Sequence, residues 1–168
     1  MGAIYYPLDF YIRFDTMQIM NKCDVIIIGA GAAGLSAAAA ATAQNKKVII
    51  CDMGDVPARK VMASGGGRCN ITNTAAAANR YFGANPDFVR GALSRVSPMD
   101  IIDWAQAHNL HLFEKEAGRY FCQDGAAAVV DALIKDAQNA KFIFNTKINS
   151  INKLWHLPCL RLKLYNLV

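Results

Sequence analysis

An α/β fold with a parallel sheet is predicted for this 168-residue chain by three observations. Val25 to Ile28 is a run of four β-branched apolar residues leading straight into Gly29-Ala30-Gly31-Ala32-Ala33-Gly34. A breaker-free stretch of small residues follows the glycines. A second apolar run, Lys47 to Cys51, then ends on Asp52, eighteen positions beyond Gly34. Strand, sharp turn, helix, strand and acid, in that order within about thirty residues, make a complete βαβ unit and a far stronger signal than a glycine triplet alone.

Each element follows from its residues. Consecutive β-branched side chains suit a strand buried on both faces of a parallel sheet. Gly29 permits the turn, Gly31 removes the side chain that would hold a pyrophosphate off the backbone, and Gly34 lets the helix pack close to the strand. The helix is expected from about Ala33 to Gln44, because Leu35, Ser36, Ala37 to Ala41, Thr42 and Ala43 are mostly strong helix formers. Its first-turn amides and positive dipole end would face the phosphates of an adenine dinucleotide. Asp52 stands where a carboxylate accepts hydrogen bonds from ribose hydroxyls, and an acid there disfavours the 2′-phosphate of NADP. The fold class is therefore Rossmann-like.

The length suits one domain, and 54% hydrophobic residues are ample for a core. Residues 1–22 lack the basic start, apolar centre and cleavage site of a secretory signal and read as an N-terminal extension, its first sixteen or nineteen residues lying upstream of Met17 or Met20. No uncharged apolar run of about eighteen residues is present, so no membrane partner is expected. The net charge is +5, yet residues 1–136 hold thirteen basic and thirteen acidic side chains; the excess is Lys141, Lys147, Lys153, Arg161 and Lys163. With the excess confined to that tail, no nucleic-acid partner is expected. Cys23, Cys51, Cys69, Cys122 and Cys159 form no CxxC pair, which fits a reducing cytoplasm and argues against zinc or disulfides.

The second informative segment is Ser64-Gly65-Gly66-Gly67-Arg68-Cys69-Asn70-Ile71-Thr72-Asn73. Ordering three glycines costs backbone entropy, a cost best explained where the backbone approaches a ligand or takes positive φ. Arg68 adds a planar donor fork, and Asn70 and Thr72 add short polar groups suited to phosphate, ribitol or a ring edge. A flexible linker would more usually be Gly/Ser-rich throughout. Cys69 has no cysteine near it in the sequence and reads as a small packed thiol.

The run Arg59-Lys60-Val61-Met62-Ala63 through Asn73, some twenty residues after the Gly29 to Gly34 loop, resembles the signature of the aminoacetone oxidase-like (BaiN-type) flavoproteins. These are NAD(P)/FAD-dependent oxidoreductases of the glutathione-reductase-like FAD fold, with relatives proposed to reduce bile-acid intermediates. The resemblance implies a FAD-dependent oxidoreductase, with NAD(P)H as a candidate electron donor. It implies Gly29, Gly31, Ala32, Ala33 and Gly34 on the pyrophosphate, with Asp52 and the adjoining Met53 at the ribose. Arg59, Lys60 and Gly66, Gly67, Arg68, Cys69 and Asn70 match the family's second cofactor-side loop, and Ile148 matches a residue near the adenine. One departure is Ala58, where the family usually has glycine.

Further on, Ser97-Pro98 opens a helix into Ile101, Ile102, Trp104 and Ala105. Leu110 to Phe113 and Arg119 to Phe121 read as short strands around Glu116-Ala117-Gly118. His108, His111 and Glu114 are spaced at i, i+3, i+6, but the strand-like residues after Asn109 break the helix that would gather them, so no metal site is expected. Gly125 to Ala140 reads as a helix with Val129, Val130, Leu133 and Ile134 on one face. Lys141 to Ile151 reads as a strand pair or bent strand with Phe142, Phe144 and Ile148 inward. From Leu154 the resemblance stops, and Leu160, Leu162 and Leu164 alternating with Arg161 and Lys163 suggest an amphipathic strand.

The expected organisation is thus residues 1–22 as extension, 23–153 as the N-terminal part of a truncated, glutathione-reductase-type FAD domain, and 154–168 as a divergent, frame-shifted tail. A FAD-dependent oxidoreductase acting on a small-molecule substrate is the first functional expectation. An NAD-dependent dehydrogenase and a non-catalytic nucleotide-binding fragment are the alternatives, and no side-chain constellation marks a catalytic residue.

Overall fold

A computed structural model describes residues 10–14, 17–85, 87–154 and 159–166. In chain order the elements are β1 (Phe10–Phe14), β2 (Met17–Cys23), β3 (Val25–Ile28), α1 (Ala32–Thr42), β4 (Val48–Cys51), α2 (Arg59–Met62), β5 (Asn70–Asn73), α3 (Arg90–Leu93), α4 (Pro98–Ala107), β6 (Leu112–Glu114), β7 (Arg119–Cys122), α5 (Ala126–Asp136), β8 (Lys141–Ile143), β9 (Thr146–Leu154) and β10 (Cys159–Asn166). They form two compact units, one built from the chain up to Ala58 and from Leu133 onward, the other from Arg59 to Ala132.

The first unit contains the expected βαβ. β3, β4 and β8 form a parallel sheet in the order β3-β4-β8, with Val25 opposite Val48 and Ile49 opposite Lys141. Asp24 fixes the start of that register, donating its N–H to the Lys47 carbonyl (2.9 Å) while its carboxylate accepts the Lys47 N–H (2.7 Å). α1 packs on β3 and β4 through Leu35 and Ala38, both fully buried. Cys23, Ile49 and Cys51 form a core cluster with Ile26, Ile143 and Ile148 around it.

Burial on both faces belongs to β4, whose four residues are all buried, and not to β3. β3 is an edge strand of this sheet, with Val25, Ile26 and Ile27 half-buried and Ile28 55% exposed. A β-branched run specifies an extended backbone; how many faces are covered depends on neighbours the run does not encode.

A second sheet in the same unit has the order β2-β1-β10-β9. β1 is antiparallel to β2 and parallel to β10, with Tyr11 opposite Arg161 and Phe14 opposite Leu164. The segments expected as extension and tail therefore each contribute strands, and the alternating run from Leu160 is indeed extended.

The second unit holds the sheet β5-β7-β6. β6 and β7 form a hairpin whose turn places Ala117 and Gly118 at φ +50 and +76 and is closed by the Arg119 N–H on the Glu116 carbonyl (3.0 Å). α4 begins with a capping box: the Ser97 hydroxyl accepts the Asp100 N–H (3.2 Å) and the Asp100 carboxylate accepts the Ser97 N–H (2.6 Å). Along α5, Ala126, Val129 and Val130 are buried, whereas Leu133 and Ile134 are only half-buried. Among the described residues no helix is long and apolar enough to cross a membrane.

Candidate cofactor site

The first glycine loop is a clamped turn with an open face. Gly29 extends the β3 ladder by donating to the Cys51 carbonyl (2.8 Å) and then turns at φ +103. Ala30 is buried and tied at both ends, its N–H donating to Asp52 Oδ2 (2.5 Å) and its carbonyl accepting the Ala58 N–H (2.8 Å). Gly31 is the N-cap of α1 and supplies no side chain there, and the Leu35 N–H is bonded back to the Gly31 carbonyl (2.9 Å). The earlier amides of the helix, at Ala32, Ala33 and Gly34, are those that an α-helix leaves without an intrahelical acceptor.

The three glycines differ in what surrounds them. A Cβ on Gly29 or Gly31 would meet nothing within 4 Å, so their backbone borders open space. A Cβ on Gly34 would lie 1.9 Å from the Gly29 carbonyl oxygen. Gly34 thus serves the helix-to-turn contact, and Gly29 and Gly31 leave a cradle that side chains would fill. A pyrophosphate fits this arrangement: close backbone, amides and the positive end of an eleven-residue helix at one place.

Asp52 is half-buried at the end of β4. Besides Ala30, it accepts the Gly54 N–H on Oδ1 (2.6 Å), and its own backbone is bonded to Ile143 and Thr146 (both 2.9 Å). Each carboxylate oxygen keeps a second lone-pair site, so ribose hydroxyls can be accepted without displacing an amide. The brace across the glycine turn is a role that sequence reasoning missed, as are Ala30 and Ala58; only the family's glycine at position 58 signalled anything. Ala58 adopts φ +55, the left-handed region that favours glycine. Met53 is 61% exposed, while the Ile148 side chain packs on the Cys23, Ile49 and Cys51 core. Burial pushes the Cys23 and Cys51 thiols up to about 11, with Asp24 adding to the first and Cys23 to the second.

The second loop lies in the other unit. α2 carries Arg59 and Lys60, both exposed. Ser64–Gly67 then forms a 3₁₀ turn interrupted by left-handed Gly65 and Gly66. Gly65 is pressed against the Asn70 amide and the Phe121 ring, each 3.0 Å from where a Cβ would sit, whereas Gly66 and Gly67 face open space. The turn is held by Cys69 N–H donating to the Ser64 carbonyl (3.2 Å) and Cys122 N–H donating to the Arg68 carbonyl (2.9 Å). Arg68 is exposed and Cys69 buried, as a packed thiol should be. Asn70 is engaged locally: with its amide oriented to satisfy its neighbours, the NH2 group donates to the Tyr120 and Thr72 carbonyls at 3.3 and 3.2 Å. Cys122, distant in sequence, lies beside Cys69, and burial raises its thiol pKa.

The spaced histidines go to separate partners. His108 Nδ1 meets the Trp104 carbonyl (2.9 Å), His111 Nδ1 meets Asp124 (3.0 Å), and Glu114 accepts the Gly118 N–H (3.1 Å). Backbone and side-chain hydrogen bonds from His111 hold the Asp124 carboxyl below its ordinary range. Among the described residues no three metal-ligating side chains converge.

The HI0933-like protein Rossmann domain family matches residues 23–156. The chain belongs to that family. It is a family of flavoprotein oxidoreductases, so the Rossmann-like, FAD-binding fold class inferred from the two loops holds. The chain is 39% identical over 136 residues to the ribosomal RNA dihydrouridine synthase of Escherichia coli (strain K12), an alignment covering 80% of this chain and 34% of that protein. It is 34% identical over 126 residues to the 3-dehydro-bile acid delta(4,6)-reductase of Clostridium scindens, covering 73% and 30%. The HI0933-like chain therefore spans about a third of the length of these relatives. In fold it is similar to the 3-ketosteroid-delta4-(5alpha)-dehydrogenase of Rhodococcus jostii RHA1, with a TM-score of 0.57 at 11% identity over 84% of this chain and 44% of that one.

Proposed function

We propose that this chain holds FAD through its adenylate and pyrophosphate half and serves a reductase that saturates a carbon–carbon double bond conjugated to a carbonyl. The observation that carries the reading is the open Gly29–Gly31 cradle at the start of α1, with Asp52 bonded across it. The α1 amides bind the pyrophosphate and Asp52 accepts the ribose hydroxyls, while Gly66, Gly67 and Arg68 of the other unit are assigned to the cofactor by the family resemblance. Arg59 and Lys60 add positive charge, and the Ile148 backbone borders the adenine. FAD when bound supplies hydride transfer, with NAD(P)H as the source of electrons.

The names of the two relatives support the choice of bond. Dihydrouridine is uridine with its ring double bond, next to a carbonyl, saturated; a delta(4,6)-reductase acting on a 3-dehydro bile acid reduces double bonds conjugated to the 3-oxo group. A free small molecule and a nucleobase share that bond. Four described cysteines are free thiols, which supports a reducing, cytoplasmic setting.

Titration of the purified chain with FAD and with FMN tests the reading. FAD is expected to bind and FMN, which lacks the adenylate half, is not; a folded protein that ignores FAD overturns it. The alternative is a non-catalytic nucleotide-binding segment. Flavin bound with no NAD(P)H-dependent reduction of a conjugated enone would select it.

A further inference from the structure

Over residues 56–99 the sequence carries six cations, Arg59, Lys60, Arg68, Arg80, Arg90 and Arg95, and a single acid, Asp87. The even balance over residues 1–136 hides this run behind acids that lie before and after it. All six cations are exposed. The first three belong to the cofactor loop and its approach. The other three flank a group of aromatic rings that the second unit leaves outside its core: Tyr81 at 45%, Phe82 at 95% and Phe88 at 81% exposure.

The local fold explains why these rings point outward. A 3₁₀ turn over Ala78–Arg80 leads directly into Tyr81 and Phe82, and Phe88 precedes α3, a single turn with no buried residue. Asp87 is occupied, its carboxylate paired with Arg90 Nε at 2.5 Å. Among the described residues no carboxylate pairs with Arg80 or Arg95.

An exposed phenylalanine ring gains nothing from water, and an apolar protein partner would bury the neighbouring guanidinium groups at a cost. A single-stranded polynucleotide satisfies both: bases stack on rings irrespective of sequence, and phosphates take the cations. We propose that the Arg80–Arg95 segment is a binding surface for single-stranded RNA, with Phe82 and Phe88 stacking on bases and Arg80 and Arg95 contacting phosphates. This goes beyond the flavin reading, because RNA binding here needs no cofactor, and it extends that reading by supplying a polymer that can carry the reduced base.

The test is fluorescence anisotropy of a labelled twelve-nucleotide oligouridylate against the full chain across a range of salt, with FAD titrated separately on the same samples. Phe82→Ala should weaken RNA binding by roughly 5- to 160-fold, the range that loss of one stacked base allows. Arg80→Gln combined with Arg95→Gln should flatten the dependence of log Kd on log salt by about 0.7 for each phosphate left without its cation. Both variants should keep the wild-type thermal midpoint and FAD affinity, since the altered side chains lie outside the core and outside the proposed cofactor contacts. No binding by the wild type at low salt, or an unchanged Kd in both Phe82→Ala and Phe88→Ala, overturns the proposal. So does self-association that Phe82→Ala abolishes in a protein that ignores RNA, since the rings would then belong to a protein interface. Loss of FAD binding with RNA binding intact would fault the flavin reading alone.

Discussion

Replacing Gly34 by alanine isolates the steric part of the first glycine loop. The added Cβ would sit 1.9 Å from the Gly29 oxygen, 3.1 Å from its carbonyl carbon and 3.2 Å from Ile27 Cγ2. Real Cβ atoms do not approach heavy atoms within 3.0 Å, so at least 1.1 Å of clearance (3.0 − 1.9) has to open. The nearest obstacle is backbone that cannot rotate away, anchored by the Gly29 N–H on Cys51 and by Asp52 on Ala30. Overpacking costs about 1–3 kcal/mol and belongs at the upper end here, while alanine's helix preference returns about 1 kcal/mol. The net loss of about 1–2 kcal/mol corresponds to a fall in thermal midpoint of about 2–8 °C for a chain of this size. Shifting the α1 amides by about 1 Å should also weaken FAD binding at least about tenfold, a change of about 1.4 kcal/mol. Circular-dichroism melting and flavin-fluorescence titration read the two effects. Gly31→Ala is the control: its φ is −79, its Cβ meets nothing, and it should melt within about 1 kcal/mol of wild type yet lose FAD because the methyl fills the cradle. A Gly34→Ala protein with wild-type midpoint and affinity would refute the packing role.

Asp52→Asn should destabilise the chain by about 1–3 kcal/mol and weaken FAD, since the two oxygens accept different amides and the new NH2 group opposes one of them; urea unfolding with and without FAD checks both. Ser97→Ala should cost about 1 kcal/mol by removing the α4 cap. The same Ser97 contacts lower the Asp100 pKa from 3.8, so that support is full above this value and is lost as pH falls through the lowered one. The gap between wild type and Ser97→Ala should therefore narrow in acid when unfolding is measured at pH 7 and near pH 3. The Cys23 and Cys51 thiols, raised from 9.0 to about 11, favour the fold fully below 9.0 and lose that contribution as pH climbs toward 11. Both should stay unlabelled by a thiol reagent at pH 8 until denaturant is added.

Local chemistry makes much of this legible in advance. α1, expected from about Ala33 to Gln44, runs Ala32–Thr42, and Ser97-Pro98 starts α4 because the cap and the first-turn proline are both short-range signals. Elements whose identity depends on distant partners are not legible. β5 is Asn-Ile-Thr-Asn, too polar to read as a strand, and exists because β7 pairs with it. The edge position of β3, the meeting of Cys69 with Cys122 and the brace from Asp52 to Ala30 all arise from pairings that sequence spacing does not encode. Net charge is a sum: over residues 1–136 it averages away the cation-rich stretch between Val56 and Met99, so the balance carries no information about local patches.

The first unit is discontinuous along the chain, and this has a consequence for how it is made. Asp52 emerges from the ribosome well before Ile143, whose carbonyl accepts the Asp52 N–H, and before Thr146, which donates to the Asp52 carbonyl. Closing a loop of about ninety residues costs about 4 kcal/mol of chain entropy, which is recovered only when β8 docks on β4. A nascent chain can form the β3–α1–β4 unit early, with the Asp52 carboxylate already on the Ala30 and Gly54 amides, but the Asp52 backbone beneath the ribose end of the cradle is fixed last.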